Sequence, residues 1–187
     1  PESGFRRLRI DLAYDGTNFA GWAKQPDQRT IQECLEESLA KISQINPETI
    51  VAGRTDAGVH ATGQVIHVDL PENLSLDDLV YKLNRLLDQD IRVHKISIAP
   101  EAFHARFSAL RRKYRYKILD DNRVLDPLAR LDVATWYRAL DVDVMNKTSQ
   151  LLLGKHDFAA FCKFREGATT VRTLEKYEWM RNADGVL

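Results

Sequence analysis

The residues best suited to chemistry lie in Gly53-Arg54-Thr55-Asp56-Ala57-Gly58-Val59-His60. Two glycines bracket an arginine and an aspartate in what reads as a tight connection between strands. Such a loop can present a carboxylate beside a guanidinium at the edge of a sheet. A neighbouring Arg54 would hold Asp56 ionised, the state that a nucleophile or a base requires. An aspartate in a turn, bonding its own backbone, accounts for the same spacing, and on spacing alone that reading is favoured. No Gly-Lys-Ser/Thr follows, so this is not a Walker phosphate loop. A second stretch, Ala102 to Leu119, holds six basic residues and no acidic one: Arg106, Arg111, Arg112, Lys113, Arg115 and Lys117. Phe103, His104, Phe107, Tyr114 and Tyr116 are interleaved with them. Cations hold phosphates and aromatic rings stack on bases, a composition suited to single-stranded or flipped-out RNA. A strand with tyrosines on its core face and solvated cations on the other fits equally well. A third segment, Tyr14-Asp15-Gly16-Thr17-Asn18-Phe19 followed by Gly21-Trp22 and Gln25, is either an exposed binding loop or a loop folded back on the sheet with Trp22 as a plug.

The elements that must position these residues alternate in type. Leu8, Ile10, Leu12 and Tyr14 alternate with Arg7, Arg9, Asp11 and Ala13, the pattern of a half-buried strand. Thr30-Ile31-Gln32-Glu33 reads as a capping box opening a helix whose apolar face is Ile31, Cys34, Leu35, Leu39 and Ile42. Thr49 to Ala52 is a short strand feeding the Asp56 loop, and Ile66, Val68 and Leu70 line one side of the strand after it. Ser75 caps a second helix with the stripe Leu76, Leu79, Val80, Leu83, Leu86 and Leu87, and Ile91 to Ile98 is a strand ended by Pro100. Strands interleaved with two helices that cover one face of a sheet give an α+β sandwich.

Past Pro100 the theme begins again. Tyr114, Tyr116 and Ile118 alternate with Lys113, Arg115 and Lys117 as a strand. Asp141 to Leu153 is a helix stopped by Gly154, and Thr170 to Met180 is a weaker strand. Residues 1–100 are therefore expected to form an N-terminal α+β domain carrying the Asp56 loop, and residues 101–187 the start of a second. Asn182-Ala183-Asp184-Gly185 signals a hairpin turn, so Val186 and Leu187 should open a return strand. The expectation is a chain that continues in the natural protein, and Pro1 likewise suggests an internal start.

Bulk composition excludes little. Twenty-seven basic groups balance twenty-seven acidic ones, which neither announces nor rules out a nucleic-acid partner, since binding depends on where charge sits. Cys34 and Cys162 occupy unrelated contexts, and no Cys/His cluster suggests zinc. No apolar run approaches membrane length, and a soluble cytoplasmic protein without a membrane partner is expected.

Taken together, Tyr14-Asp15-Gly16, Gly21-Trp22 with Gln25, Ile31-Gln32-Glu33, Gly53 to Ala61, Gly63-Gln64-Val65, Phe103-His104-Ala105-Arg106-Phe107-Ser108-Ala109 and Gly154-Lys155-His156-Asp157-Phe158 resemble the TruA-type tRNA pseudouridine synthases in order and rough spacing. The resemblance implies two RRM-like (ferredoxin-like) α/β halves sharing an antiparallel sheet around a basic cleft. It implies a homodimer acting without cofactor or metal on uridines of the tRNA anticodon arm, positions 38–40 of the tRNA. By position, Asp56 matches the family's essential aspartate, Arg54 the arginine that expels and replaces the target nucleotide, and Tyr114 the tyrosine that stacks on the target uracil. Arg106, Arg111, Arg112 and Lys113 would lie on the RNA track. A non-catalytic tRNA-binding module is the alternative; the intact Asp56 and Arg54 weigh against it. Two departures stand out: Leu87-Asp88 replaces a frequent Leu-Pro, and the family's C-terminal segment, which supplies a basic partner for the aspartate, is missing.

Overall fold

The computed structural model describes residues 1–162 and 169–187. They divide into two compact units, Pro1–Lys113 and Tyr114–Leu187.

In the first unit, β1 (Phe5–Tyr14) is followed by α1 (Ile31–Ser43), β2 (Ile50–Val51), β3 (Ala61–Pro71), α2 (Leu76–Leu86) and β4 (Ile91–Ile98). The four strands form one antiparallel sheet in the order β2-β3-β1-β4. Period-two alternation sends Leu8, Ile10, Leu12 and Tyr14 to one face, and Ile10 lies opposite Ile66 on one side and Ile96 on the other. Thr30 caps α1 by accepting from Glu33 N at 3.4 Å, and Ile31, Leu35 and Leu39 are fully buried against the same face. Ser75 caps α2, which inserts Leu79 and Leu83. Each fully buried Leu or Ile here contributes about 1.5–3 kcal/mol. Leu86, placed in that stripe by its spacing, is 47% exposed. The helix ends there, and the extended backbone of Leu87 turns that side chain inward in its stead.

The turn after α2 contains the Asp88 departure, and the side chain has a use. Arg29 reaches Asp88 at 2.8 Å and Asp90 at 2.7 Å, tying the 15–29 loop to this turn, and Asp15 N donates to Asp90 O. A proline at position 88 could not make the first of these bonds.

The chain beyond Pro100 stays with the first unit as far as Lys113. Arg7 donates to the carbonyls of Glu101 and Phe103, and Ala105 N donates to His67.

The second unit corrects several expectations. Residues 113–117 form no strand; β5 is only Ile118–Leu119, parallel to β6 (Ala134–Thr135). Tyr114 is 83% and Tyr116 68% exposed, so Tyr116 is not a core residue; it lines an apolar hollow with Trp136 and Trp179. The cause is the ladder: an extended segment becomes a strand only where neighbours pair its backbone, and among the described residues 113–119 a ladder forms only at Ile118 and Leu119, with the Lys117 carbonyl accepting one bond from Ala134 N at its edge. The helix α3 (Val142–Ser149) is capped by Asp141 and passes through a tight turn, Gln150–Leu152, before Gly154 stops it at φ +96°. The strand expected over Thr170–Met180 is limited to β8 (Val171–Leu174), antiparallel to β7 (Gly154–Asp157). The 182–185 turn forms with Gly185 at φ +80°, and Val186–Leu187 returns beside Ile118–Leu119. Asp120, wholly buried, takes two bonds from Arg181 at 2.6 and 2.9 Å and one from Leu140 N. The Arg181 bonds, foremost, hold its carboxyl well below the usual carboxylate range. No helix among the described residues is long and apolar enough to cross a membrane.

Candidate active site

The connection from β2 to β3 carries Asp56, and three separate parts of the first unit hold it, one through the Thr55 side chain and two through backbone groups. From β1, the Tyr14 hydroxyl lies 2.8 Å from Thr55 Oγ1. From the loop after β1, Trp22 N donates to Thr55 O at 2.9 Å, and Phe19 O accepts from Gly58 N at 3.2 Å. From β3, Gln64 Nε2 donates both to Gly53 O at 2.8 Å and to Tyr14 Oη at 3.0 Å. Burial pushes the Tyr14 phenol up, against the pull of its bonds to Thr55 and Gln64; it stays a neutral donor and acceptor. Phe19 and Trp22 are 3% and 1% exposed. The aromatic loop is thus the plug of the two readings, and the plug is also the bracket of the Asp56 loop.

One glycine permits this close approach and another the turn that carries Asp56. Gly21 has φ +107°, and a Cβ there would sit 2.8 Å from Thr55 O. Gly58, at φ +78°, is the third residue of a turn closed by Val59 N donating to Asp56 O.

Asp56 opens that turn with an exposed side chain. Among the described residues its carboxylate accepts no hydrogen bond and forms no ion pair. Asp15 shows the contrast, because its Oδ1 accepts from both the backbone and the hydroxyl of Thr17. Those bonds hold its carboxyl below the ordinary value. The turn-bonding role available to any such aspartate is filled at position 15 and left unfilled at position 56. Arg54 is exposed on the same loop and is not ion-paired with Asp56.

The basic segment meets the loop at its base. Arg112 donates to Ala52 O from Nη2 at 2.5 Å and from Nε at 3.2 Å, and Nη2 also reaches Arg106 O at 3.3 Å. Gly53 leaves room for that guanidinium, whose Nε would lie 3.0 Å from a Cβ. Arg106, Arg111 and Lys113 are exposed along the segment, and Tyr114 is the exposed first residue of the second unit.

Sequence reasoning overlooked His67. It is 5% exposed although it sits on the outward face of β3, covered there by residues 103–105, and its Nδ1 accepts from Ala105 N at 3.1 Å. Burial lowers its pKa to about 4, with the charge of Arg7 and the nearby His104 adding to the effect and Asp69 opposing it. The available signal was a polar residue between Ile66 and Val68 beside a downstream aromatic motif. Gln64 was likewise quoted only as part of a motif, whereas its amide joins β1, β3 and the Asp56 loop.

Residues 12–108 match the family model described as tRNA pseudouridine synthase. A protein of Frankia casuarinae named tRNA pseudouridine synthase A is 51% identical over 185 residues, which is 98% of this chain and 68% of that protein. The chain belongs to this family. Proteins of the same name from Streptomyces griseus and Mycobacterium leprae are 50% and 47% identical, covering 100% and 94% of the chain and 68% and 66% of their own length. The chain therefore spans about two thirds of these relatives. Pseudouridine synthases are isomerases that convert uridine to pseudouridine. The matched stretch includes the Asp56 loop, its bracketing residues from Leu12 to Trp22, and the 103–108 segment on His67.

Proposed function

We propose that this protein isomerises uridines of the tRNA anticodon stem-loop, positions 38–40, to pseudouridine, with Asp56 as the catalytic residue and no cofactor. The observation that carries the reading is the Asp56 loop: it is bonded from three directions while, among the described residues, its carboxylate has no partner. Pseudouridine formation breaks the C1′–N1 bond, turns the uracil and joins its C5 to C1′. No redox change and no net hydrolysis occur, so side chains and the substrate balance the reaction alone. A carboxylate held beside C1′ acts either as nucleophile on the sugar or as base, and both routes need what the loop supplies, an exposed oxygen on a rigid support.

The target base must first leave its stack, at a cost of roughly a few kcal/mol. Arg54, exposed beside Asp56, takes the vacated place, and Tyr114 stacks on the uracil while it is detached. Arg106, Arg111, Arg112 and Lys113 form the phosphate track. The order β-α-β-β-α-β with spatial order β4-β1-β3-β2 supports a ferredoxin-like first half. The family resemblance extends this to a second such half around a basic cleft, in a cytoplasmic homodimer.

The test is conversion of unmodified tRNA, read by tritium release from C5-labelled uridine. Asp56→Asn is expected to lower turnover roughly 10³-fold or more while tRNA affinity stays within about two-fold. Normal turnover by Asp56→Asn would remove the mechanism and leave an RNA-binding module.

A further inference from the structure

On the reading just proposed, we infer a second base-stacking site: the ring of Phe107 is a platform for an unpaired nucleobase of the bound RNA, outside the target pocket. Phe107 is 76% exposed, which by itself is unremarkable for a single surface residue. Its surroundings are not those of a stray side chain. The His104 ring stacks on it, with centroids 4.4 Å apart and planes 30° from parallel. His104 in turn lies 4.9 Å from the buried His67 ring, so the exposed ring is the outer end of a row of rings anchored in the protein.

The backbone is locked to match. Phe107 N and Ser108 N both donate to His104 O, at 3.0 and 2.7 Å, and the Ser108 hydroxyl accepts from His104 N at 3.1 Å. Ala105 between them is pinned to His67. A ring held this way loses little freedom when a second flat partner arrives, which favours stacking.

Charge identifies the partner as nucleic acid. The Arg106 guanidinium is 5.6 Å from the Phe107 ring centroid, where it can meet the phosphate of a nucleotide stacked there. From Ala102 to Leu119 there is no acidic residue. The segment is fastened to the catalytic loop, because Arg112 bonds the carbonyls of both Arg106 and Ala52. A base seated on Phe107 is therefore held in fixed relation to Asp56. An unpaired base is required, since a base inside a helix has both faces stacked already.

The experiment compares Phe107→Leu, which keeps apolar bulk but has no π face, with Phe107→Trp, which enlarges it. Both are measured for Kd by fluorescence anisotropy on an unmodified tRNA transcript, and for kcat and KM by tritium release. Phe107→Leu should weaken binding and raise KM about ten-fold with kcat at saturation within two-fold, and Phe107→Trp should restore wild-type affinity. Wild-type affinity in Phe107→Leu overturns the platform. So does equal weakness of the Leu and Trp proteins, which would show the ring packing against protein. If Asp56→Asn remains active, the catalytic reading falls while the Kd comparison still judges the platform.

Discussion

Neutral imidazole at position 67 accepts a hydrogen bond from Ala105 N, 3.1 Å from its Nδ1, a bond that protonation of Nδ1 would abolish. The folded protein resists that protonation down to about pH 4, whereas the unfolded chain takes up the proton near the ordinary 6.5. Between these values the unfolded state binds more protons, so stability attributable to His67 falls as pH drops through the window. Urea midpoints measured from pH 7 to 4 should show it: the gap between wild type and His67→Asn narrows as acid is added. A gap independent of pH would mean that His67 takes up its proton as readily in the folded protein as in the unfolded chain. At this scale the sequence was legible where a motif crowded its signals together, as around Asp56. His67 and Gln64 stayed hidden because their roles come from neighbours dozens of residues away, and no local period records that a strand's outer face will be covered.

Glycine spacing at the element level turns two loops into one support. With φ +107° and the Thr55 carbonyl 2.8 Å from any Cβ, Gly21→Ala strains its own backbone and pushes on the residue before Asp56. The expected loss is about 1–3 kcal/mol of stability together with a slower single-turnover rate. Gly63→Ala, with nothing within 4 Å of the added carbon, is the matched control. Denaturant midpoints and rapid-quench rates check both; a Gly21→Ala protein turning over at the wild-type rate would show that the bracket does not govern the carboxylate. The helices were readable because each combines a cap with an apolar stripe, Thr30 before Ile31, Leu35 and Leu39, and Ser75 before Leu79 and Leu83. The expected strand at 113–118 failed for the opposite reason. Alternation describes side chains, and a strand also needs a ladder for its backbone, which forms only at Ile118 and Leu119.

Across the whole molecule, burial is uneven. The large apolar cluster runs from Leu8 to Ile96, all in the first unit, whereas the buried apolar side chains among the described residues of the second unit are Leu119, Val133 and Leu187, beside the buried Asp120 that pairs with Arg181. Amides of β1 and β3 should therefore exchange with solvent only through global unfolding, while those of α3, β7 and β8 exchange through smaller openings. Hydrogen-exchange mass spectrometry reads this directly, and equal protection in both units would contradict it. Arg112 adds a mechanical property to the first unit. One side chain spans two carbonyls, at Ala52 and at Arg106, so a pull on either is felt at the other. On the proposed function this would gear grip to chemistry: RNA settling out of register on the cationic segment would tilt the floor under the Asp56 carboxylate, and a misplaced substrate would be rejected by misalignment as well as by weak attachment.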